Sequence, residues 1–309
     1  MFFPEGFLFQ TAKNQKALQT MEGLQEAMAQ NQVLEARAIL CDNQHNLWVD
    51  LPCCKGLIPR EEGAMGIREG TIRDIALIAR VTRPVCFVIT NITTDDQGEP
   101  LAILSRRAVQ EQCKRQYIST LIPGDVIEAT VTHLEPFGAF CDIGCGIASF
   151  IPIDAISVSR IFHPADRFTV GQTIKAVVKE HLPDGKIGLT HKELLGTWEE
   201  NAAQFGVGET VSGIVRTVET YGCFVELTPN LAGLAEPKDG VLPGQQAAVF
   251  IKSILPEKMK IKLIIVDSFR ETKPVEEPSY FYEGNHMNRW QYSPLGCQKH
   301  IVTEFDDYL

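Results

Sequence analysis

The sequence predicts a mainly β chain of tandem small barrels, five strands each, and three observations predict it. Val131–Pro152 (VTHLEPFGAFCDIGCGIASFIP) aligns without a gap on Val215–Glu236 (VRTVETYGCFVELTPNLAGLAE), 84 residues later. Each copy alternates loosely between apolar and polar residues and carries a strand-breaking glycine, Gly138 or Gly222, as a bulged or coiled strand requires. Each copy also closes alike: Gly171-Gln172 matches Gly244-Gln245, and Leu182-Pro183-Asp184 matches Leu255-Pro256-Glu257. Leu182-Pro183-Asp184-Gly185 is a hairpin signal leading into a last strand. A unit of about 60 to 70 residues with some five short strands and one crossover fits an OB-type barrel.

Taken in order, residues 1–32 hold a helix, with Ala17, Leu18, Met21, Leu24 and Met28 recurring on one face of residues 10–32. Residues 33–105 form a degenerate first copy. Leu47–Leu51 resembles Ala139–Ile143, Gly56–Pro59 resembles Ser149–Pro152, and Leu101–Ser105 resembles Ile187–Thr190. That copy places His45 where the others have Phe137 and Tyr221, and it carries an insertion over 63–83 with an amphipathic stretch at Thr71–Ala79. Residues 106–120 and 193–206 read as linker helices, the second spanning His191–Phe205. The clear copies occupy 121–192 and 207–269. The tail, 270–309, turns rich in Pro, Glu and Tyr, and reads as irregular and without a core of its own.

Composition excludes several classes. A hydrophobic fraction of 44% is that of a globular chain. No run approaches the roughly 18 apolar residues of a spanning helix, so no membrane partner is expected. Met1-Phe2-Phe3-Pro4-Glu5 lacks the basic start of a secretory signal, which makes a cytoplasmic location the expectation. Nine cysteines without a CxxC read as reduced structural thiols; Cys141 and Cys145 have no histidine at zinc spacing. No cofactor is expected. The net charge of −10 is unlike that of a simple nucleic-acid binder. Residues 121–206 alone hold six Lys or Arg against eleven Asp or Glu. Any RNA site is therefore a local basic and aromatic patch on an acidic body.

Single-stranded RNA asks for π faces to stack unpaired bases and for cations to meet phosphates. Phe137 and Phe140 flank Gly138-Ala139, and Tyr221 and Phe224 repeat that arrangement around Gly222-Cys223. Lys186, His191 and Lys192 follow the last turn of one copy; Lys260 and Lys262 follow that of the next. These nine residues are the candidate RNA contacts. Strict alternation puts 137 and 139 on one face and 140 on the other, so Phe140 and Phe224 fit the core as well as the surface. Asp142 and Glu226 read as solvated strand residues, and the alternating lysines of 258–262 also fit a plain exposed strand face.

With those residues in view, the span from Gly124 to Pro152, closing with PDGKIGLTHKE, resembles the RNA-binding repeat of the bacterial small-subunit ribosomal protein S-one family. The marks are the glycine before the first strand, the Phe-Gly-Ala-Phe element, the Phe-Ile-Pro third strand and the final Ile187–Lys192 strand. The similarity extends over roughly 33–269 and is greatest to short, few-repeat homologues. It implies tandem five-stranded OB folds whose RNA face carries two aromatics, a third-strand histidine and a basic residue near the last turn. The histidine position holds Pro152 in one copy and Glu236 in the next, so the resemblance favours the 121–192 copy for contact. It also implies that the first copy, residues 33–105, serves as a docking repeat for small-subunit proteins.

The function expected is thus non-catalytic binding of single-stranded RNA, mRNA above all, at the small ribosomal subunit during translation. The alternative is a protein scaffold whose barrels have largely lost RNA binding. The aromatic tail (Tyr280, Phe281, Tyr282, Trp290, Tyr292, Phe305, Tyr308) then serves either as a docking strand or as a segment folded over a barrel. An enzyme is not expected. The seven histidines (45, 133, 163, 181, 191, 286, 300) are scattered, and no phosphate-cradling GxxxxGK[ST] loop occurs. Oligomeric state is not fixed by the sequence.

Overall fold

The computed structural model describes residues 2–183, 185–270 and 277–305. Asp184 of the hairpin turn and Tyr308 of the tail lie outside the described residues. Two compact units emerge: Met1–Leu121 with Asp142–Ala148, and Ile122–Cys141 with Ser149–Leu309.

In the first unit, α1 (Ala12–Leu18) and α2 (Met21–Ala29) precede a closed barrel. Its strands are β1 (Leu34–Cys41), β2 (Leu47–Leu51), β3 (Cys54–Ile58), β4 (Pro84–Thr94) and β5 (Pro100–Ser105), in the order β1-β2-β3-β5-β4. The single helix expected over 10–32 is two helices. Thr11 and Thr20 each accept a backbone N–H from their own first turn, from Asn14 and Gly23, and a second N-cap ends the first helix. The expected apolar face survives the break: Leu18 and Leu24 are buried against the barrel core, and Ala17, Met21 and Met28 pack beside them. Asn14 ties α1 to β1, its amide donating to Glu35 O (2.8 Å) and accepting from Glu35 N (2.9 Å). In the insertion only Ile75–Ile78 is helical (α3), which buries Leu77. Helix α4 (Arg106–Gln116), capped by Ser105, follows the barrel.

This unit also contains a buried charge cluster. Glu5 receives the Arg106 guanidinium on both oxygens (2.6 and 2.9 Å) and Arg80 at 3.3 Å. Asp142 accepts from Glu5 N (2.8 Å), Gly144 N (2.8 Å) and Gly146 N (3.0 Å), so it is a buried anchor of its loop and not a solvated residue. Burial and then the Glu5 charge push its carboxyl up to about 6.

The second unit holds the other two barrels, and each repeats the strand order of the first. One is built from β6 (Val126–Glu135), β7 (Gly138–Asp142), β8 (Ala148–Pro152), β9 (Thr173–His181) and β10 (Ile187–Thr190). The other uses β11 (Thr210–Glu219), β12 (Gly222–Thr228), β13 (Leu231–Ala235), β14 (Gln246–Leu255) and β15 (Lys260–Phe269). The mainly β, tandem-barrel expectation therefore holds. In all three barrels the third strand runs parallel to the fifth, at equivalent pairs: Leu57 with Ile103, Phe150 with Gly188, Leu234 with Lys262.

The helix expected over His191–Phe205 is shorter. A 3-10 turn (Lys192–Leu195) ends at Gly196, whose φ of +84° breaks the run, and α5 (Trp198–Ala202) restarts under a Thr197–Glu200 capping box. The tail is not simply irregular either. It makes a small two-stranded sheet, β16 (Arg289–Gln291) with β17 (Val302–Glu304). Met287, Trp290, Tyr292 and Phe305 are buried in the same apolar cluster as Trp198, Val215 and Val249. Large side chains that gain nothing from solvent exposure bury themselves where an apolar surface exists, about 1.5–3 kcal/mol each. Trp290, Tyr292 and Phe305 thus follow the folded-back reading, whereas Phe281 stays exposed. No helix among the described residues is long and apolar enough to cross a membrane.

Candidate nucleic-acid interface

The glycine that opens β7 assembles the site. A Cβ on Gly138 would stand 2.3 Å from Ile151 O and 2.4 Å from Cζ of Phe150, so only glycine lets β7 lie this close to β8 with the Phe150 ring across it. Ala139 and Cys141 point into the core at 0% exposure, which turns Phe140 outward. Phe137 precedes the strand and is 58% exposed. Both phenylalanines thus share the outer face, together with Phe150. Ring centroids stand 6.2 Å apart for Phe137–Phe140, 5.7 Å for Phe137–Phe150 and 4.9 Å for Phe140–Phe150.

Polar residues stand on the strands that adjoin this platform. Phe150 pairs with Gly188 of β10, and the exposed Lys186 stands two residues before that glycine. His133, exposed on β6, holds the place of Thr217, which pairs with Phe224 in the other barrel. Phe150 is the member of this aromatic platform that sequence reasoning missed. The signal was present, because the repeat alignment sets Phe150 over Leu234 on the strand that neighbours the aromatic pair.

The third barrel repeats the platform with two rings. Tyr221 and Phe224 stand at 6.3 Å and 88°, nearly the geometry of Phe137 and Phe140 (6.2 Å, 89°). Phe224 pairs with Leu234, and Leu234 with Lys262, so Lys260 and Lys262 line the adjoining strand and are exposed. Glu236 is met by Lys252 at 3.0 Å, which offsets part of its repulsion toward phosphate. Glu226 is buried between Arg167 (2.6 Å) and Arg216 (2.7 Å), contrary to its reading as a solvated strand residue.

The structure removes His191 from the face. Its strand ends at Thr190, and the chain turns inward, leaving the imidazole 1% exposed. Nδ1 lies 2.9 Å from Ile156 O and Nε2 3.3 Å from the Tyr280 hydroxyl. Burial lowers its pKa to about 4, so the ring is neutral and structural. Lys192 is half-buried beside it, its Nζ at 3.4 Å from Asp154 O, and does not join the aromatic platform.

In the first barrel, Trp48 takes the place of Phe140 and donates Nε1–H to Asp42 (3.2 Å), and Leu57 takes the place of Phe150. His45 sits in the turn at φ +63°. Ile39 and Leu40 are each 53% exposed, Leu40 as the strand partner of Trp48. The same outer face therefore holds one aromatic, Trp48, among aliphatic residues, with Ile103 at the position of Lys262.

Comparison with known proteins agrees with this geometry. Residues 120–192 match the family profile described as S1 RNA binding domain. The small ribosomal subunit protein bS1 homolog of Bacillus cereus is 32% identical over 207 residues, 62% of this chain and 54% of the relative. The small ribosomal subunit protein bS1 of Rhizobium meliloti is 29% identical over 233 residues, 70% of this chain and 39% of the relative. The chain thus spans about half the length of the curated relatives it matches, or less. Among solved structures, a multidomain protein with nucleic acid binding domains from Streptococcus pneumoniae aligns at 14% identity. That alignment covers 78% of this chain and 75% of the other, at a TM-score of 0.25, too low to bear on the argument. Residues 120–192 thus carry an S1-type RNA-binding repeat, and the chain is similar to the bS1 proteins over 62% and 70% of its length in these two alignments.

Proposed function

We propose that the chain is a non-catalytic binder of single-stranded RNA, mRNA above all, that acts with the small ribosomal subunit in translation. The observation that carries this reading is the convergence of Phe137, Phe140 and Phe150 on one outer face, with the exposed Lys186 just ahead of the strand that pairs with Phe150. Three rings on one outer face suit unpaired bases, each stack contributing about 1–3 kcal/mol, and the lysine meets the backbone phosphates. The relatives' names add the ribosomal context, and a cytoplasmic place of action belongs to this reading. In this reading the third barrel, with two rings and Lys260 and Lys262, extends the RNA track more weakly. The first barrel, with its largely aliphatic face around Trp48, docks small-subunit proteins through residues 33–105. The scaffold alternative draws no support from the relatives.

The test is fluorescence anisotropy with labelled single-stranded RNA. The Phe137→Ala, Lys186→Ala double variant should weaken binding about 10- to 100-fold, and Tyr221→Ala several-fold less. Binding by the parent should fall with salt, because phosphate contacts release counterions. A double variant that binds as tightly as the parent places the RNA elsewhere.

A further inference from the structure

The connection between β8 and β9, residues 153–172, is twice as long as its counterpart in the third barrel, residues 236–245. It starts at one aromatic platform, where Ile153 N donates to Phe137 O at 2.9 Å. Further on it lies against the outer face of the third barrel. There Asp166 meets Arg216 of β11 at 3.3 Å, and Arg167 donates to Glu226 of β12 at 2.6 Å. Glu226 and Phe224 share that face, because the buried Val225 between them points inward, and Thr217 beside Arg216 is the strand partner of Phe224. The loop thus reaches from the Phe137 platform to the edge of the Tyr221–Phe224 pair.

Its middle is pinned. Val158 N donates to Asn230 Oδ1 at 2.9 Å, Ser159 N to Pro229 O at 3.0 Å and Ser159 Oγ to Thr228 O at 3.3 Å. Ile161 and Pro164 are buried, and His163 Nδ1 accepts from Ala165 N at 3.1 Å, capping the 3-10 turn that follows. Between these anchors Phe162 stands 63% exposed. Its N–H donates, at 3.4 Å, to the same Asp166 oxygen that meets Arg216.

A single exposed apolar residue is ordinary, but this ring is fixed on both sides, and a fixed ring gives up little freedom when a base stacks on it. Arg160, two residues away, is exposed and makes no ion pair among the described residues. The acids of the loop do not cancel it: Asp166 is held by Arg216, and Asp154 stands at the Phe137 end, one residue past Ile153. An exposed ring beside a free cation is what a single strand uses, a π face for a base and a charge for a phosphate. A protein partner would want apolar neighbours around Phe162, and Ile161 and Pro164 are turned into the core instead.

We propose that this loop is a bridge for single-stranded RNA, with Phe162 stacking a base and Arg160 meeting a phosphate as the strand passes from the second barrel's platform to Tyr221 and Phe224. The proposal rests on the RNA reading given above and extends it. The two platforms then act as one continuous track, and a strand long enough to span both gains a contact that a short strand does not.

The experiment is fluorescence anisotropy of the full chain with labelled oligouridines of about 5 and about 15 nucleotides. Phe162→Ala should weaken the longer RNA by about fivefold or more and leave the shorter one unchanged, at the parent's urea midpoint. Phe162→Tyr should keep the parent's affinity, whereas Phe162→Leu, apolar but without a π face, should lose as much as Phe162→Ala. Arg160→Ala should flatten the log–log salt dependence by about 0.7, one phosphate contact. In the parent, photo-cross-linking of the longer RNA carrying 4-thiouridine should label residues 160–163, a readout that needs no variant. If the parent binds neither RNA, the RNA reading and the bridge fall together. If the Phe137→Ala, Lys186→Ala variant loses RNA while Phe162→Ala or Phe162→Leu keeps parental affinity for the longer strand, the RNA reading stands and the bridge is overturned. Absence of label at 160–163, or equal weakening of both RNAs by Phe162→Ala, overturns the bridge as well. So does a nuclease-resistant protein partner that Phe162→Ala releases with RNA affinity unchanged, which assigns the ring to protein docking.

Discussion

Gly138 decides whether the aromatic platform exists. The atoms that a Cβ would strike include a backbone oxygen, Ile151 O at 2.3 Å, so side-chain rotation alone cannot relieve the clash. Gly222 repeats the constraint with Ala235 O at 2.4 Å and adds a φ of +153°. Gly138→Ala is expected to separate β7 from β8 and tilt Phe150 off its neighbours. The cost should be about 1–3 kcal/mol, typical of overpacking, read as a lower urea midpoint. RNA affinity should fall in parallel; a variant that keeps both stability and affinity would show that the rings do not depend on this approach. Phe150 itself was marked only by its place over Leu234 in the repeat alignment; within its own strand, a phenylalanine in Ser-Phe-Ile-Pro reads as core. The burial of Ser149 and Ile151 on either side is what turns it out.

Among the elements, the barrels were legible and the joints were not. The 84-residue repeat and its glycines are local signals, and they specify the strands well. Alternation failed at Phe140 because it was counted from Phe137, which lies before the strand; counted from the buried Ala139 and Cys141 it gives the outer face. His191 and the tail escaped for a different reason. Their positions are set by tertiary packing, by the inward turn after Thr190 and by an apolar surface that the tail covers, and neither leaves a periodic trace. The tail is fastened by a specific bond as well as by area: the Tyr292 hydroxyl donates to Asn230 O at 2.5 Å, inside the core. Tyr292→Phe keeps the ring and orphans that carbonyl, at an expected cost of about 1–3 kcal/mol by urea denaturation with RNA affinity unchanged. An unchanged midpoint would mean that packing alone holds the tail.

At the scale of the whole molecule, the two units carry buried titratable groups of opposite sense. In the first, burial and then the Glu5 charge push the Glu35 carboxyl up to about 8, against 4.5 for an ordinary one. Between those values the folded unit keeps a proton that the unfolded chain has released, so its stability falls as pH rises from about 4.5 to 8. Asp142, pushed up to about 6, acts in the same direction over a lower window. In the second unit His191 is lowered from 6.5 to about 4, so the unfolded chain takes up a proton that the folded state refuses. That unit loses stability as pH falls from about 6.5 to 4. Hydrogen exchange followed from pH 5 to pH 8.5 should therefore show protection dropping in β1–β5 toward alkaline pH. Protection in β6–β15 should drop toward acid. Glu35→Gln should flatten the first trend alone and His191→Gln the second alone. Parallel movement of both units, or a Glu35→Gln variant that alters the acid limb of β6–β15, would show that other groups govern the response.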